Sequence, residues 1–200
     1  MWSLLLFAAL SSGPSGPASL EQVAAAIGAA QAWQVRFTQR YVPAGFDQGA
    51  TERGLLTVAP PTQLRFDYEG EAPRVFAFDG SVARLVDPAA GSCDAVALDR
   101  TTWSRLPLAT LLDPGATRAA FEVSANGRTL RLVPREPVPE LDDLVIDVGE
   151  DGLPVAIVVR DASGNRNEFA LSSWQRRSQP PAPFFQPSLP GAPPCRPEGG

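Results

Sequence analysis

Through most of this chain apolar residues recur at every second position, the period of a strand with one buried face. The stretch QLRFDYEG shows it plainly: Leu64, Phe66 and Tyr68 fall on one side, Gln63, Arg65 and Asp67 on the other. The same period runs through WQVRFTQRYV, where Val35, Phe37 and Gln39 oppose Arg36, Thr38 and Arg40. ERGLLTVA, RVFAFDG, VARLVDP and SCDAVALD continue it, and AAFEVSA, TLRLVP, DDLVIDVG, PVAIVVRD and NEFALSSWQRR form a second set. Asp79-Gly80, Asn126-Gly127 and Asp151-Gly152 supply hairpin turns, and Pro60-Pro61 closes the second strand because proline cannot continue a central ladder.

Two segments break the period. In SLEQVAAAIGAAQAW, Ser19 and Gln22 have the spacing of a capping box, and Leu20, Val23, Ala24 and Ile27 mark one helical face. TTWSRLPLATLLDPG predicts a short helix capped by Thr101 or Thr102, begun or interrupted at Pro107 and stopped by Asp113-Pro114-Gly115. About eleven strands in hairpin order with two helices predict a mainly β fold, a large antiparallel sheet that is strongly curved or partly closed. So many strands do not lie flat, because twist curls or splits large sheets. A curled sheet has a concave face, and two short helices are little to cover it. Leu64, Phe66 and Tyr68 are expected on that face; Val35, Phe37, Phe169 and Leu171 are expected in ordinary core.

Residues 2–10 form a short apolar run followed by small and turn-forming residues. This resembles a secretory signal peptide and is too short to span a bilayer as a helix. Residues 1–18 are read as the leader, with Ala18 the candidate cleavage position. No Cys follows the run, so no lipid anchor is expected. No later stretch has about 18 continuous apolar residues, so the mature chain is expected to be soluble. In an exported protein the two cysteines, Cys93 and Cys195, allow one disulfide; in a cytosolic one they would be unrelated thiols. Export favours the bridge.

The net charge of −5 argues against a nucleic-acid partner, which needs a basic surface. All 17 basic residues are Arg, which with abundant Ala, Gly and Pro reflects a GC-rich genome and carries no functional weight. With no His and no Lys, neither a His-activated nucleophile nor a Ser-Lys pair can be built, and imidazole metal sites are excluded. In ELDDL, Glu140, Asp142 and Asp143 offer carboxylates, but neighbouring strand residues point to opposite faces, so a solvated loop or strand start is expected. DASGNRNE has oxygens at Asp161, Ser163 and Asn165, yet its Gly is misplaced and Ser172 stands where a calcium loop needs a bidentate Glu. A hairpin turn is expected there, and neither an enzyme nor a cofactor.

The punctuation of the chain forms an ordered series: FTQR, Gly54 and Pro61 around the second strand, DYEGEAP, FDG, VDP, the Asp151-Gly152 pair, DASGN, NEFAL and FFQPSLPG. From about Ser19 to Gly191 this resembles the LolA family of periplasmic outer-membrane lipoprotein carriers. The resemblance implies an incomplete antiparallel barrel, closed over by helices, whose cavity holds the acyl chains of a lipoprotein. It places Leu64 and Phe66 against that cavity and matches Leu106–Leu112 to the lid. The candidate lining is therefore Leu64, Phe66, Tyr68, Phe76 and Phe78, with Leu106, Leu111 and Leu112 from the lid. Better-known members carry an Arg before the Pro matching Pro61 that holds the lid closed. Pro60 stands there in this chain; Arg53 and Arg65 are nearby, and Arg65 should point away from Phe66.

The expected organisation is a leader (1–18), a half-barrel carrier domain (19–177) and a Pro-rich C-terminal tail (178–200). The expected function is that of a monomeric periplasmic carrier of lipoproteins or a related lipid toward the outer membrane. Resemblance implies an inner-membrane lipoprotein-releasing complex as donor and an outer-membrane acceptor. Physics requires such shielding: roughly 40 acyl methylenes at about 0.8 kcal/mol each would cost on the order of 30 kcal/mol in water. The alternatives are a lipid-sensing binding module and an accessory protein for acyl or glycolipid transport on the same fold.

Overall fold

A computed structural model describes residues 16–98 and 108–197. Helix α1 (Leu20–Gly28) precedes six strands: β1 (Ala32–Val42), β2 (Ala50–Ala59), β3 (Gln63–Glu69), β4 (Arg74–Phe78), β5 (Val82–Asp87) and β6 (Ser92–Ala97). A 3-10 turn (Ala109–Leu111) and helix α2 (Pro114–Ala120) follow. Then come β7 (Phe121–Asn126), β8 (Thr129–Pro134), β9 (Asp143–Val148), β10 (Pro154–Arg160) and β11 (Arg166–Arg177), and a second 3-10 turn (Ala182–Phe185).

The described strands form one antiparallel sheet in the order β6-β5-β4-β3-β2-β1-β11-β10-β9-β8-β7. Two meanders are thus joined through the pairing of the first strand with the last, from Ala32↔Arg177 to Val42↔Arg166. β6 and β7 end the sheet and do not pair with each other, so the barrel is open. Register stacks apolar residues in rows on the inner face: Leu56, Phe66 and Phe76 in one, Val58, Leu64 and Phe78 in the next. Gly54 interrupts a third row between Phe37 and Tyr68. A Cβ there would meet the Asp67 carbonyl oxygen at 1.9 Å and the Phe37 ring at 2.9 Å. The gap lets Phe37 lie edge-on to both Phe66 and Tyr68, with centroids 5.2 and 5.1 Å apart.

One end of the inner face is sealed by α1. Ser19 caps it through the full capping box with Gln22, and Leu20, Val23 and Ile27 are buried against the sheet. The Trp33 indole donates to the Ile27 carbonyl at 2.7 Å, tying the helix end to β1. Glu21 receives two bonds from Arg118, joining α1 to α2. The Asp113-Pro114-Gly115 stretch corrects the expectation of a helix stop: it starts α2. Asp113 accepts from the Ala116 amide, and Pro114 occupies the first turn, where its missing N–H costs no helix bond. The anticipated caps Thr101 and Thr102, with Pro107, lie outside the described residues.

The C-terminal segment crosses the outer face. Phe185 is buried against Ala32 and Ala59. The Arg65 guanidinium lies over the Phe184 ring at 4.6 Å and donates to the Phe184 carbonyl at 2.7 Å. Arg65 therefore points away from Phe66, and Arg53, which alternates with inward Gly54, faces the same way. Further along, Arg84 donates to the Cys195 carbonyl (3.1 Å) and to Asp79 (2.6 Å), and a disulfide joins Cys93 to Cys195 across a Cα separation of 6.0 Å.

Asp143 corrects another expectation. It begins β9, but it is buried, because β9 lies between β8 and β10 and both neighbours supply an arginine. Arg131 and Arg160 donate to its Oδ2 at 2.8 and 3.2 Å. Asp161, by contrast, holds the expected turn, accepting from the Ser163 and Asn165 amides and the Asn165 side chain.

Burial alone would raise the Asp79 pKa, but Arg84 and the Val82 and Ser81 amides hold it below the usual carboxylate range. Arg40 and Arg166 hold Glu168 down against a smaller effect of burial. Both folded values are depressed, so the stabilisation is present above the unfolded values of about 4 and is lost as pH falls through the folded ones. The thermal midpoint is expected to fall steadily below about pH 4, and Asp79→Asn should flatten part of that fall. An acid limb unchanged in the variant would remove Asp79 from this account.

Candidate functional site: an apolar cavity on the inner face

Away from α1, the inner face encloses a cavity of about 210 Å³. Alternate residues of five strands build its wall: Gln39 from β1, Leu64, Phe66 and Tyr68 from β3, Phe76 from β4, Ile157 and Val159 from β10, and Asn167, Phe169 and Leu171 from β11. Leu108, just before the 3-10 turn, also lines it. Phe66 is at the centre, with ring centroids of Phe76, Tyr68 and Phe169 at 6.1–6.2 Å. β3 and β11 are separated by two strands, and on a flat sheet that places them about 14 Å apart. Their rings meet because the sheet curls.

The polar lining gathers at one end. Tyr68 donates its hydroxyl to Gln39 Oε1 at 2.7 Å, and Gln39 Nε2 donates to Asn167 Oδ1 at 2.9 Å. Burial pushes the Tyr68 phenol up to about 12, with smaller opposed effects of Arg74 and Glu52. Arg74 lies over the Tyr68 ring at 4.6 Å and is bonded to Glu52 at 2.6 Å. Beyond Phe76 the apolar inner face continues without full cover: Leu85, opposite Phe76, and Val96, opposite Ala83, are 38% and 57% exposed.

Of the candidate lining, Leu64, Phe66, Tyr68 and Phe76 stand on the wall. Phe78 and Leu111 do not: both are buried in the core, and Leu112 packs half-buried against it. Leu106 lies outside the described residues. Phe169 and Leu171, expected as plain core, stand on the wall, whereas Val35 and Phe37 are core. Gln39, Asn167, Ile157, Val159 and Leu108 were not anticipated as lining. Parity carried a signal for some of them, since Gln39 follows Val35 and Phe37 at two-residue steps and Asn167 precedes Phe169. Among the described residues no cluster of three His, Cys, Asp or Glu could hold a metal ion, and no helix is long and apolar enough to cross a membrane. The site offers enclosure and a few hydrogen bonds.

These features define a class: open, curled antiparallel half-barrels that keep an apolar hollow under short helical segments. Residues 29–188 match the family described as "Outer membrane lipoprotein carrier protein LolA", and the chain belongs to that family. An "Outer-membrane lipoprotein carrier protein" of Xanthomonas campestris pv. campestris (strain B100) is 26% identical over 148 residues, 70% of each chain. An uncharacterized conserved protein from Thermus thermophilus shares the fold with a TM-score of 0.54 at 9% identity, covering 87% of this chain and 94% of that one. A LolA superfamily protein from Nitrosomonas europaea gives 0.49 at 12% identity, covering 83% and 94%.

Proposed function

We propose that the protein is a monomeric periplasmic carrier that shields acyl chains of lipoproteins, or of a related lipid, and moves them toward the outer membrane. It acts by binding, with no chemical step. The observation that carries this reading is the aromatic cavity centred on Phe66, on a curled sheet whose apolar inner face runs on, partly exposed, to Leu85 and Val96. Family membership and the carrier names of its relatives support the same reading. The cavity is smaller than the ~300–1,000 Å³ of ordinary ligand pockets, so it seats part of one chain. Fuller loading requires the 108–120 segment to lift and the track past Phe76 to be used. An inner-membrane releasing complex would be the donor and an outer-membrane protein the acceptor. With no arginine before Pro61, and with Arg53 and Arg65 turned outward, the closed state relies on packing of Leu108, Ala109 and Leu111 and on the Glu21–Arg118 pair.

Purified from a fractionated native cell, the protein is expected in the periplasm, to begin between Ser15 and Leu20, and to carry co-bound acylated peptide detectable by mass spectrometry. Recovery with glycolipid or free acyl lipid alone would move it to the accessory-transport alternative. An intact Met1 in the cytosolic fraction would overturn the carrier reading.

A further inference from the structure

The polar groups of the cavity form one directed chain. Tyr68 spends its hydroxyl hydrogen on Gln39 Oε1, and Gln39 Nε2 spends one hydrogen on Asn167 Oδ1. Both amide oxygens are thereby engaged. What remains is the second hydrogen on Gln39 Nε2 and both hydrogens on Asn167 Nδ2, which has no partner among the described residues. The polar end of an otherwise apolar cavity thus holds three N–H donors without a partner among the described residues, while each of its amide oxygens already accepts one bond. Gln39 pairs directly with Phe169 across β1 and β11, so these donors begin where the aromatic wall ends.

A group that enters there gains most by supplying acceptors, because it pairs N–H groups that the cavity leaves without a partner. An ester or amide carbonyl fits; a hydrocarbon has nothing to offer. A free carboxylate would bring acceptors as a desolvated charge, and the guanidinium against Tyr68, that of Arg74, is already committed to Glu52 at 2.6 Å. We propose that Gln39 and Asn167 form a carbonyl-binding subsite that recognises cargo by the ester or amide linkage at the head of an acyl chain, with the chain itself laid along Phe169, Phe66 and Phe76. This deepens the carrier reading and rests on it. The cavity would then distinguish esterified or amidated acyl groups from alkyl chains of equal length, and it would set how deep each chain enters.

The test compares monopalmitoylglycerol with its hexadecyl ether analogue, which has the same chain and diol and lacks the carbonyl. Binding to the full mature protein is measured by displacement of a fluorescent acyl probe. The parent is expected to prefer the ester by roughly three- to tenfold, the range of one neutral hydrogen bond made in an apolar site. Asn167→Leu should bring that ratio down toward one, whatever it does to the affinity for both compounds. Asn167→Asp, which keeps the shape and replaces donors by acceptors, should remove the preference equally and serves if the Leu variant does not fold. Equal binding of ester and ether by the parent, or a ratio preserved in the variants, would overturn the subsite and leave the carrier reading standing. Binding of neither compound would overturn both.

Discussion

Replacing Cys93 and Cys195 together by serine is expected to lower the thermal midpoint by roughly 8–20 °C, and a reductant should reproduce the shift on the parent protein. The bridge closes a loop with a sequence separation of 102, and for a loop of that length the chain-entropy account gives about 4–5 kcal/mol, acting by restricting the unfolded chain. The fold gives the bridge a second task. β11 ends in the middle of the sheet, and the segment after it must cross the outer face from β1 to the far edge at β6. Much of that segment is proline, which cannot donate to a ladder, so it is held by contacts of other kinds. These are the burial of Phe185, the Arg65 bonds to Phe184, the Arg84 bond to the Cys195 carbonyl, and the disulfide itself. Without the disulfide, the outermost of these would depend on Arg84 alone, and the β6 edge would lose its covalent stitch. Alkylation of the denatured, unreduced protein should find no free thiol. Two labelled cysteines, or a midpoint indifferent to reductant, would show that the bridge contributes nothing in solution.

The strands were legible because their signal is local: a period of two, bounded by Asp-Gly and Asn-Gly turns. The face to which Leu64, Phe66 and Tyr68 belong was legible for the same reason. The pairing of β1 with β11 was not, since no turn chemistry marks two strands more than a hundred residues apart. That pairing is what brings Asn167, Phe169 and Leu171 into the cavity, so half of the wall was invisible for a topological reason. β11 hides its faces in a second way. The register slips between Gln34 and Arg36 on β1, and Ser173 on β11 has a φ of 59°, so the inward parity passes from Leu171 to Trp174 across two serines. Read by strict alternation, FALSSW assigns its aromatics to opposite faces; in the fold Trp174 meets Trp33 edge-on at 5.9 Å. The Asp113-Pro114-Gly115 stretch was ambiguous at its core, because proline after a capping residue both ends one segment and opens the next. Only the Asp113–Ala116 bond decides it. Asp143 was misjudged because the arginines that accompany it come from two other strands.

Phe66→Glu is expected to abolish acyl binding and to cost stability as well, lowering the midpoint by roughly 6–20 °C. Phe66 is only 8% exposed and touches four other rings, so its loss removes packing from the centre of the wall, and an ionised carboxylate put there must raise its pKa or draw in water. Lost binding in that variant alone would be open to the objection that the wall had collapsed. Phe169→Glu separates the two effects. Phe169 stands on the same wall and touches Phe66, but it is half-buried and lies beside Asn167 at the polar end, where a carboxylate can reach water. Its midpoint should fall by less than half as much as that of Phe66→Glu, while affinity for a fluorescent palmitoyl probe falls at least tenfold, about 1.4 kcal/mol, because the charge faces the chain. Unfolding that scales with lost binding in both variants would assign these rings to a core. A Phe169→Glu protein that is folded and binds the probe as the parent does would mean that the cavity is not where the chain sits. A folded Phe169→Glu protein that no longer binds places the acyl chain against the face that QLRFDYEG turns inward.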